Sequence, residues 1–311
     1  MGRLGRMVAG TSAAMIVASS VMSCSSSPPP GSETLTSPFA ASSPWRQTIP
    51  SDAAVDRNSE AMIRSVQGDH ALHANLMNYG IPIYTANKDT PTHTVTCSRT
   101  DYGICPFAGW PVAIPDGAEP NSGSDGVLVT VQEDSGIIFE FWQATHDGEK
   151  WTTAFAAVNS LHGSGWGGAA TGSGASRLAG VVRIGEIEAG EIPHALALQS
   201  NNACPTFRAP ALKSDGTSDR QDCIPEGARL QLDPSLDLNA LNLKPGELAV
   251  ARAMQRYGGY LMDVADAPLS VSFELDRSTP GELGKTYSDA GFRWDYDAME
   301  NVPWDKLRVL K

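Results

Sequence analysis

Beyond Gly80 the chain alternates apolar and polar residues in short runs bounded by Gly and Pro. Period two of this kind marks strands, because successive side chains point to opposite faces of a sheet. It predicts strands at His93–Cys97, Val127–Val131, Ile137–Ala144, Trp151–Val158, His194–Gln199, Tyr260–Val264 and Leu269–Leu275. Glu133-Asp134-Ser135-Gly136 reads as the turn that closes 127–131 and 137–144 into a hairpin. Helical spacing is confined to two places. Ala61, Met62, Ser65 and Val66 fit a short helix capped by Asp56 or Asn58. Leu248, Ala249, Arg252, Ala253 and Arg256 fit a longer one from Pro245 to Tyr257, with Pro at its first position and Gly258 as its stop. Many strands, few helices and long loops predict a mainly β fold: a two-sheet sandwich of jelly-roll type, with the helices packed outside.

The first residues follow a different pattern. Arg3 and Arg6 precede an uncharged stretch from Met7 to Met22, rich in Ser, Gly and Ala. This is the layout of an export signal, and it is too short and too polar for a membrane span of roughly 20 apolar residues. Val21-Met22-Ser23-Cys24 resembles the bacterial lipobox, with Met22 bulkier than usual at its position. Residues 1–23 therefore read as a lipoprotein signal peptide, and Cys24 as the lipid-carrying first residue of the mature chain. The plainer alternative is an ordinary cleaved signal with an incidental Cys24. Arg3 and Arg6 are not adjacent, so the twin-arginine route is not indicated. Residues 24–43 are Ser/Pro-rich with almost no charge, a composition that makes a flexible tether. The expected location is the extracytoplasmic face of the cell membrane, with 44–311 as one β-sandwich domain.

Composition narrows the partners. The net charge is −12, and it becomes more negative once Arg3 and Arg6 are removed. With no Lys/Arg cluster, nucleic acid is excluded as a partner, because its binding rests on neutralising phosphates. Thirty Gly and 21 Pro suit a loop-rich β protein. Besides Cys24 there are four cysteines, an even number, which in an exported chain implies disulfides. The favoured pairing is local, Cys97–Cys105 and Cys204–Cys223, since each pair brackets a turn-rich loop. Zinc is the alternative, but there is no CxxC spacing and no His beside these cysteines, so no metal or other cofactor is expected.

Several segments fall in a telling order: SPWRQTIPSDAAVDRNSEAMI, YGIPIY, SDGVLVTV followed by FEFWQA, LAGVVRIGEIEAGEIPHALAL, PEGARLQLDPSLDL and ARAMQRYGGYLMD. Together, over most of 44–275, they resemble a family of secreted bacterial proteins frequent in actinobacteria. The resemblance implies a jelly-roll or concanavalin-like sandwich and an extracellular role on glycans. Where relatives often carry His soon after the Asp of the SD motif, this chain has Val127. No catalytic set carries over.

Among the residues themselves, the strand Ile137–Gln143 holds the best candidate chemistry. Alternation sets Ile137, Phe139 and Phe141 on one face and Ile138, Glu140 and Trp142 on the other. With the Phe face in the core, Glu140 and Trp142 are expected to open onto a groove. Indole rings stack on the apolar faces of sugars, and a carboxylate can act as acid, base or nucleophile. Glycoside hydrolysis needs a second group, for which Asp125 and His194 are the candidates. Trp166, in the glycine-rich stretch 161–176, is a candidate groove rim. Arg177 could bind a uronate or pair with acids, and Arg183 is similarly undecided. GxSxG, HExxH and nucleotide-binding glycine loops are absent. The functional expectation is a glycoside hydrolase or lyase acting on envelope or environmental polysaccharide; the alternative is a non-catalytic glycan-binding or structural envelope lipoprotein.

One outcome follows from the anchor alone. Cys24→Ala should move the protein from the membrane fraction to the medium, or leave it as uncleaved precursor, when cell fractions are immunoblotted. Normal membrane retention of the variant would refute lipidation.

Overall fold

The computed structural model describes residues 1–2, 38–67, 72–148, 150–168 and 170–311. The charged and apolar parts of the signal, Cys24 and most of the tether lie outside the described residues. Among the described residues no helix is long and apolar enough to cross a membrane.

Among the described residues the fold is mainly β, with 27% strand and 14% helix. Ten strands build two principal sheets: β1 (His73–Asn75), β2 (Ile83–Ala86), β3 (Leu128–Gln132), β4 (Ile137–Trp142), β5 (Phe155–Ser160), β6 (Leu196–Ser200), β7 (Arg229–Leu232), β8 (Gly259–Val264), β9 (Ser270–Ser272) and β10 (Leu307–Val309). The larger sheet runs β1-β9-β6-β8-β7-β10 and the smaller β5-β4-β3-β2. The expected hairpin is present: β3 and β4 pair antiparallel, Val129 opposite Glu140. Its turn ends on Gly136 at φ 68°, the left-handed region that glycine enters without a Cβ clash.

The pairing is mixed. β1 runs parallel to β9, β2 to β3 and β6 to β8, whereas β6 is antiparallel to β9. This departs from the jelly-roll expectation, in which Greek-key connections pair neighbours antiparallel. Period two in a sequence reports sidedness only and says nothing of strand direction.

Three apolar layers hold the sheets. On one face of the larger sheet, Leu196, Leu198, Leu230, Leu261 and Val271 pack under four helices. These are α1 (Ser59–Ser65), α2 (Ile184–Ala189), α3 (Pro245–Arg256) and α4 (Lys285–Asp289). α3 starts as expected: Pro245 occupies the first turn, and Glu247 Oε2 accepts from the Lys244 N–H at 2.8 Å. The opposite face meets the smaller sheet through Val127, Val129, Val131, Ile138, Ala195, Ala197, Tyr260 and Met262. Alanines on β6 and its lead-in let another segment come close. A Cβ on Gly180 would lie 2.5 Å from the Ala197 nitrogen and 2.6 Å from the Trp45 ring. The third layer, on the outer face of the smaller sheet, joins Phe139 and Phe141 to Phe107, Val112, Ile114 and Trp151. Phe107 lies 4.8 Å from Phe141 and 5.7 Å from Phe139, ring centre to ring centre, both edge-on.

Other elements differ from expectation at their edges. The run 93–97 splits into two two-residue strands, Thr92–His93 and Thr96–Cys97, each paired to a different partner. The run 151–158 breaks at Ala154, between Trp151–Thr153 and β5. The strands β1, β2, β7 and β10 were not legible, being three or four residues long with little alternation.

Both local disulfides form, Cys97–Cys105 and Cys204–Cys223. The first fastens the loop carrying Phe107 to the edge strand Thr96–Cys97; the second closes a loop between the strands Ala203–Phe207 and Ile224–Glu226. Loop-closure entropy predicts that losing the longer link costs about 3 kcal/mol. The Cys204→Ser/Cys223→Ser pair should thus lower the denaturant midpoint without abolishing the fold. Non-reduced peptide mapping should return these two pairs; a Cys97–Cys204 link would refute the topology.

Candidate functional site

A cleft of about 770 Å³ opens where β1, β9, β6 and the end of β8 meet the loop 121–127. Its floor is a hydrogen-bonded polar strip. Asn75 Nδ2 donates to Ser270 Oγ at 3.3 Å, Ser270 Oγ to Gln199 Oε1 at 3.0 Å, and Gln199 Nε2 to Ser272 Oγ at 2.9 Å. One wall is aromatic. Trp294 and Tyr296 stand edge-to-face at 5.6 Å, Trp294 being 52% exposed, and Tyr79 lines the cleft with them. The wall is held from behind. Asp295 accepts three successive backbone N–H bonds, from Leu76, Met77 and Asn78, which tie the segment 294–296 to the turn 76–78. Across the cleft, Tyr79 and Ser124 hydroxyls meet at 3.1 Å, and Asn121 Oδ1 accepts from the Val127 N–H at 3.0 Å. The last contact fixes the loop that carries Asp125.

At the inner end of the cleft lies a charged knot. Arg177 is buried, and its guanidinium contacts Asp263 Oδ2 at 3.0 Å and Asp125 Oδ2 at 4.0 Å. Its Nε donates to the Ala170 carbonyl at 3.0 Å. Burial alone would lower the arginine's pKa, but Asp263, Asp125, Glu140 and Asp215 together raise it, so it stays cationic. Asp263 is held tightly. Its Oδ1 accepts from the Gly172 and Val264 N–H groups at 3.1 and 3.2 Å. Burial nonetheless pushes its carboxyl up, with Asp215 and Asp125 adding to the rise and Arg177 opposing it. Trp142 Nε1 donates to Asp125 Oδ1 at 3.3 Å, which orients that carboxylate over the guanidinium.

Asp125, Trp142 and Arg177, singled out separately along the chain, thus meet at one place. Glu140 does not open onto the cleft. It is fully buried between the sheets, where Ser176 Oγ and Asn159 Nδ2 both donate to its Oε1, and Arg177 lies near it. Burial raises its pKa, against the lowering effect of those donors. The correction has a simple cause: both faces of β4 are covered, so the face opposite Phe139 and Phe141 is interior as well. Uronate binding by Arg177 is equally disfavoured, since its charge is already shared among acids. Trp166 is no groove rim. It stacks on Trp45 at 5.1 Å and meets Tyr260 edge-on at 5.8 Å, anchoring the glycine-rich loop. Arg183 binds Glu274 at 2.9 Å.

His194 lies elsewhere, in a small crevice beside Trp45 and Arg183. Nδ1 faces the Ala195 carbonyl at 2.9 Å and Nε2 faces Glu186 at 3.2 Å. Two acceptors require both ring nitrogens to carry protons, which is the imidazolium form. The aromatic wall was missed because Trp294 and Tyr296 sit in an irregular C-terminal stretch without period. The only signal there was the density of WDY aromatics and acid at 294–296.

No known family pattern, curated protein or solved structure matches the chain. The functional reading therefore rests on the cleft itself.

The His194 pair sets a pH dependence. Burial would lower the imidazole pKa, but Glu186 outweighs it and the net shift is upward from 6.5. A raised folded-state pKa adds stability that is complete below the unfolded value and is lost as pH rises through the folded one. Wild-type Tm should therefore fall relative to a His194→Gln variant as pH climbs from 6.5 upward. Parallel Tm curves for the two proteins across pH 6–9 would refute the pairing.

Proposed function

We propose that the protein is a lipid-anchored envelope protein whose cleft binds a neutral or amine-bearing glycan. The observation that carries this reading is the combination of an exposed, rigidly backed Trp294–Tyr296 wall with a floor of Asn75, Gln199, Ser270 and Ser272. An aromatic wall accepts the apolar face of a sugar ring, while amides and hydroxyls satisfy its hydroxyl groups. The acids Asp125, Asp263 and Asp266 line the cleft against one committed guanidinium, so an anionic ligand is disfavoured. The facing of two β sheets is compatible with a sandwich-like glycan scaffold, while the parallel pairs and the helical layer set it apart from a jelly roll.

Binding is favoured over turnover because both Asp263 oxygens are already engaged, by two N–H groups and by Arg177. Hydrolysis is the second reading, favoured by one spacing. Asp125 and Asp263 touch the same Arg177 nitrogen at 4.0 and 3.0 Å. Their oxygens are therefore no more than about 7 Å apart, close enough for two carboxylates to face one glycosidic bond.

Titrating the mature protein with neutral and amino-sugar oligosaccharides, read by tryptophan fluorescence, tests the proposal. Trp294→Ala should weaken binding roughly tenfold, about 1–2 kcal/mol for one lost stacking contact, with the fold unchanged by circular dichroism. No saturable binding, or equal affinity in the variant, would overturn it. Released oligosaccharide in the same mixtures, abolished by Asp125→Asn, would move the protein to the hydrolase reading.

A further inference from the structure

Behind the cleft, a second cluster of acids is unrelated to the aromatic wall. Asp263 on β8 and Glu226 on the strand Ile224–Glu226 lie side by side, and Asp215 is brought over them by the loop that Cys204–Cys223 closes. One oxygen of each carboxylate lies within 4.8 Å of the others. Acidic clusters are common on surfaces, but this one has an uncommon member. Glu226 is 0% exposed, and among the described residues no N–H, hydroxyl or cationic group donates to its oxygens; its side-chain neighbour is a second acid, Asp215. A carboxylate sealed from water without a donor is among the costliest groups a fold can keep: burial, Asp215 and Asp263 push Glu226 up to about 9, so it ionises at neutral pH only beside a positive partner. The positive charges near the cluster are Arg177, which is shared with Asp125 and Glu140, and Lys213, which acts on Glu226 only through space. The approach of Asp215 is also tightly built. A Cβ on Gly172 would fall 2.2 Å from its Oδ1, so the Asp215 carboxylate lies directly against the glycine backbone.

We propose that Asp215, Glu226 and Asp263 form a divalent-cation site of the calcium class. Oxygens this close can share one ion at the 2.3–2.6 Å typical of calcium, which takes carboxylates in irregular arrangements. Magnesium keeps more of its water and is held by one or two carboxylates. Zinc prefers nitrogen and sulfur, and the two nearby cysteines are spent in the disulfide. The ion would neutralise Glu226 and fasten the disulfide loop to β8. Because Asp263 also holds Arg177, it would stiffen the inner end of the cleft without touching a ligand there. The site stands independently of the glycan reading, since none of its evidence comes from the aromatic wall.

The test uses the mature protein and calcium alone. Calcium at a hundredfold excess over its Kd should raise Tm by about 5 °C, and chelation should reverse the rise. Isothermal titration should give one site per chain. Glu226→Gln should lower calcium affinity at least tenfold; Asp215→Asn, on an exposed loop and safe for folding, should do the same. Three results would each overturn the proposal: an unmoved wild-type Tm in 10 mM calcium, a response to magnesium or manganese but not calcium, or undiminished calcium binding in Asp215→Asn.

Discussion

The buried guanidinium of Arg177 is the contact on which the rest of this structure depends. It reaches Asp263 on the larger sheet, lies beside Glu140 on the smaller one, approaches Asp125 on the loop between them, and bonds the Ala170 carbonyl of the glycine-rich segment. A charge is costly to bury, and it is kept only where opposite charges and acceptors replace its water. The converse holds for Asp263, whose buried carboxylate has this guanidinium as its ion-pair partner. Two sheets and two loops are thereby tied at one point, and the cleft begins where that point meets solvent. Because every surrounding acid draws on the same cation, the knot is structural before it can be anything else.

The layers on either side explain why so few polar groups are left to work. The smaller sheet is covered twice, by the larger sheet on one face and by the layer of Phe107 and its neighbours on the other. The larger sheet is covered by helices and by the smaller sheet. At the end of the inter-sheet layer, past Val127 and Ile81, polar side chains replace apolar ones and meet solvent. There the sheet face continues as Asn75, Gln199, Ser270 and Ser272. The cleft is thus the open end of the interface, walled by aromatics that the C-terminal segment supplies after crossing the molecule.

Much of this was present in local pattern. Alternation located β3, β4, β6 and β8 to within a residue or two, and Pro245 with Gly258 bracketed α3, because strand parity and helix caps are local properties. The cysteine pairs were legible for the same reason, each bracketing one turn-rich loop. Asp125, Trp142 and Arg177 were recognisable as chemistry-bearing, though not as neighbours. Alternation put Glu140 opposite Phe139 correctly and then failed, since parity cannot say whether a face meets water or another layer.

By itself, then, the sequence determined a mainly β chain with two local disulfides, a capped helix at 245–256 and a set of candidate polar groups. The tertiary structure alone decided strand direction, the burial of Glu140, the engagement of His194 by Glu186, and the union of Trp294 and Tyr296 with β1 and the turn 76–78, some two hundred residues earlier in the chain. The division has one physical cause. Backbone propensity and side-chain parity act over a few residues, whereas desolvation and charge pairing depend on what the rest of the chain brings alongside.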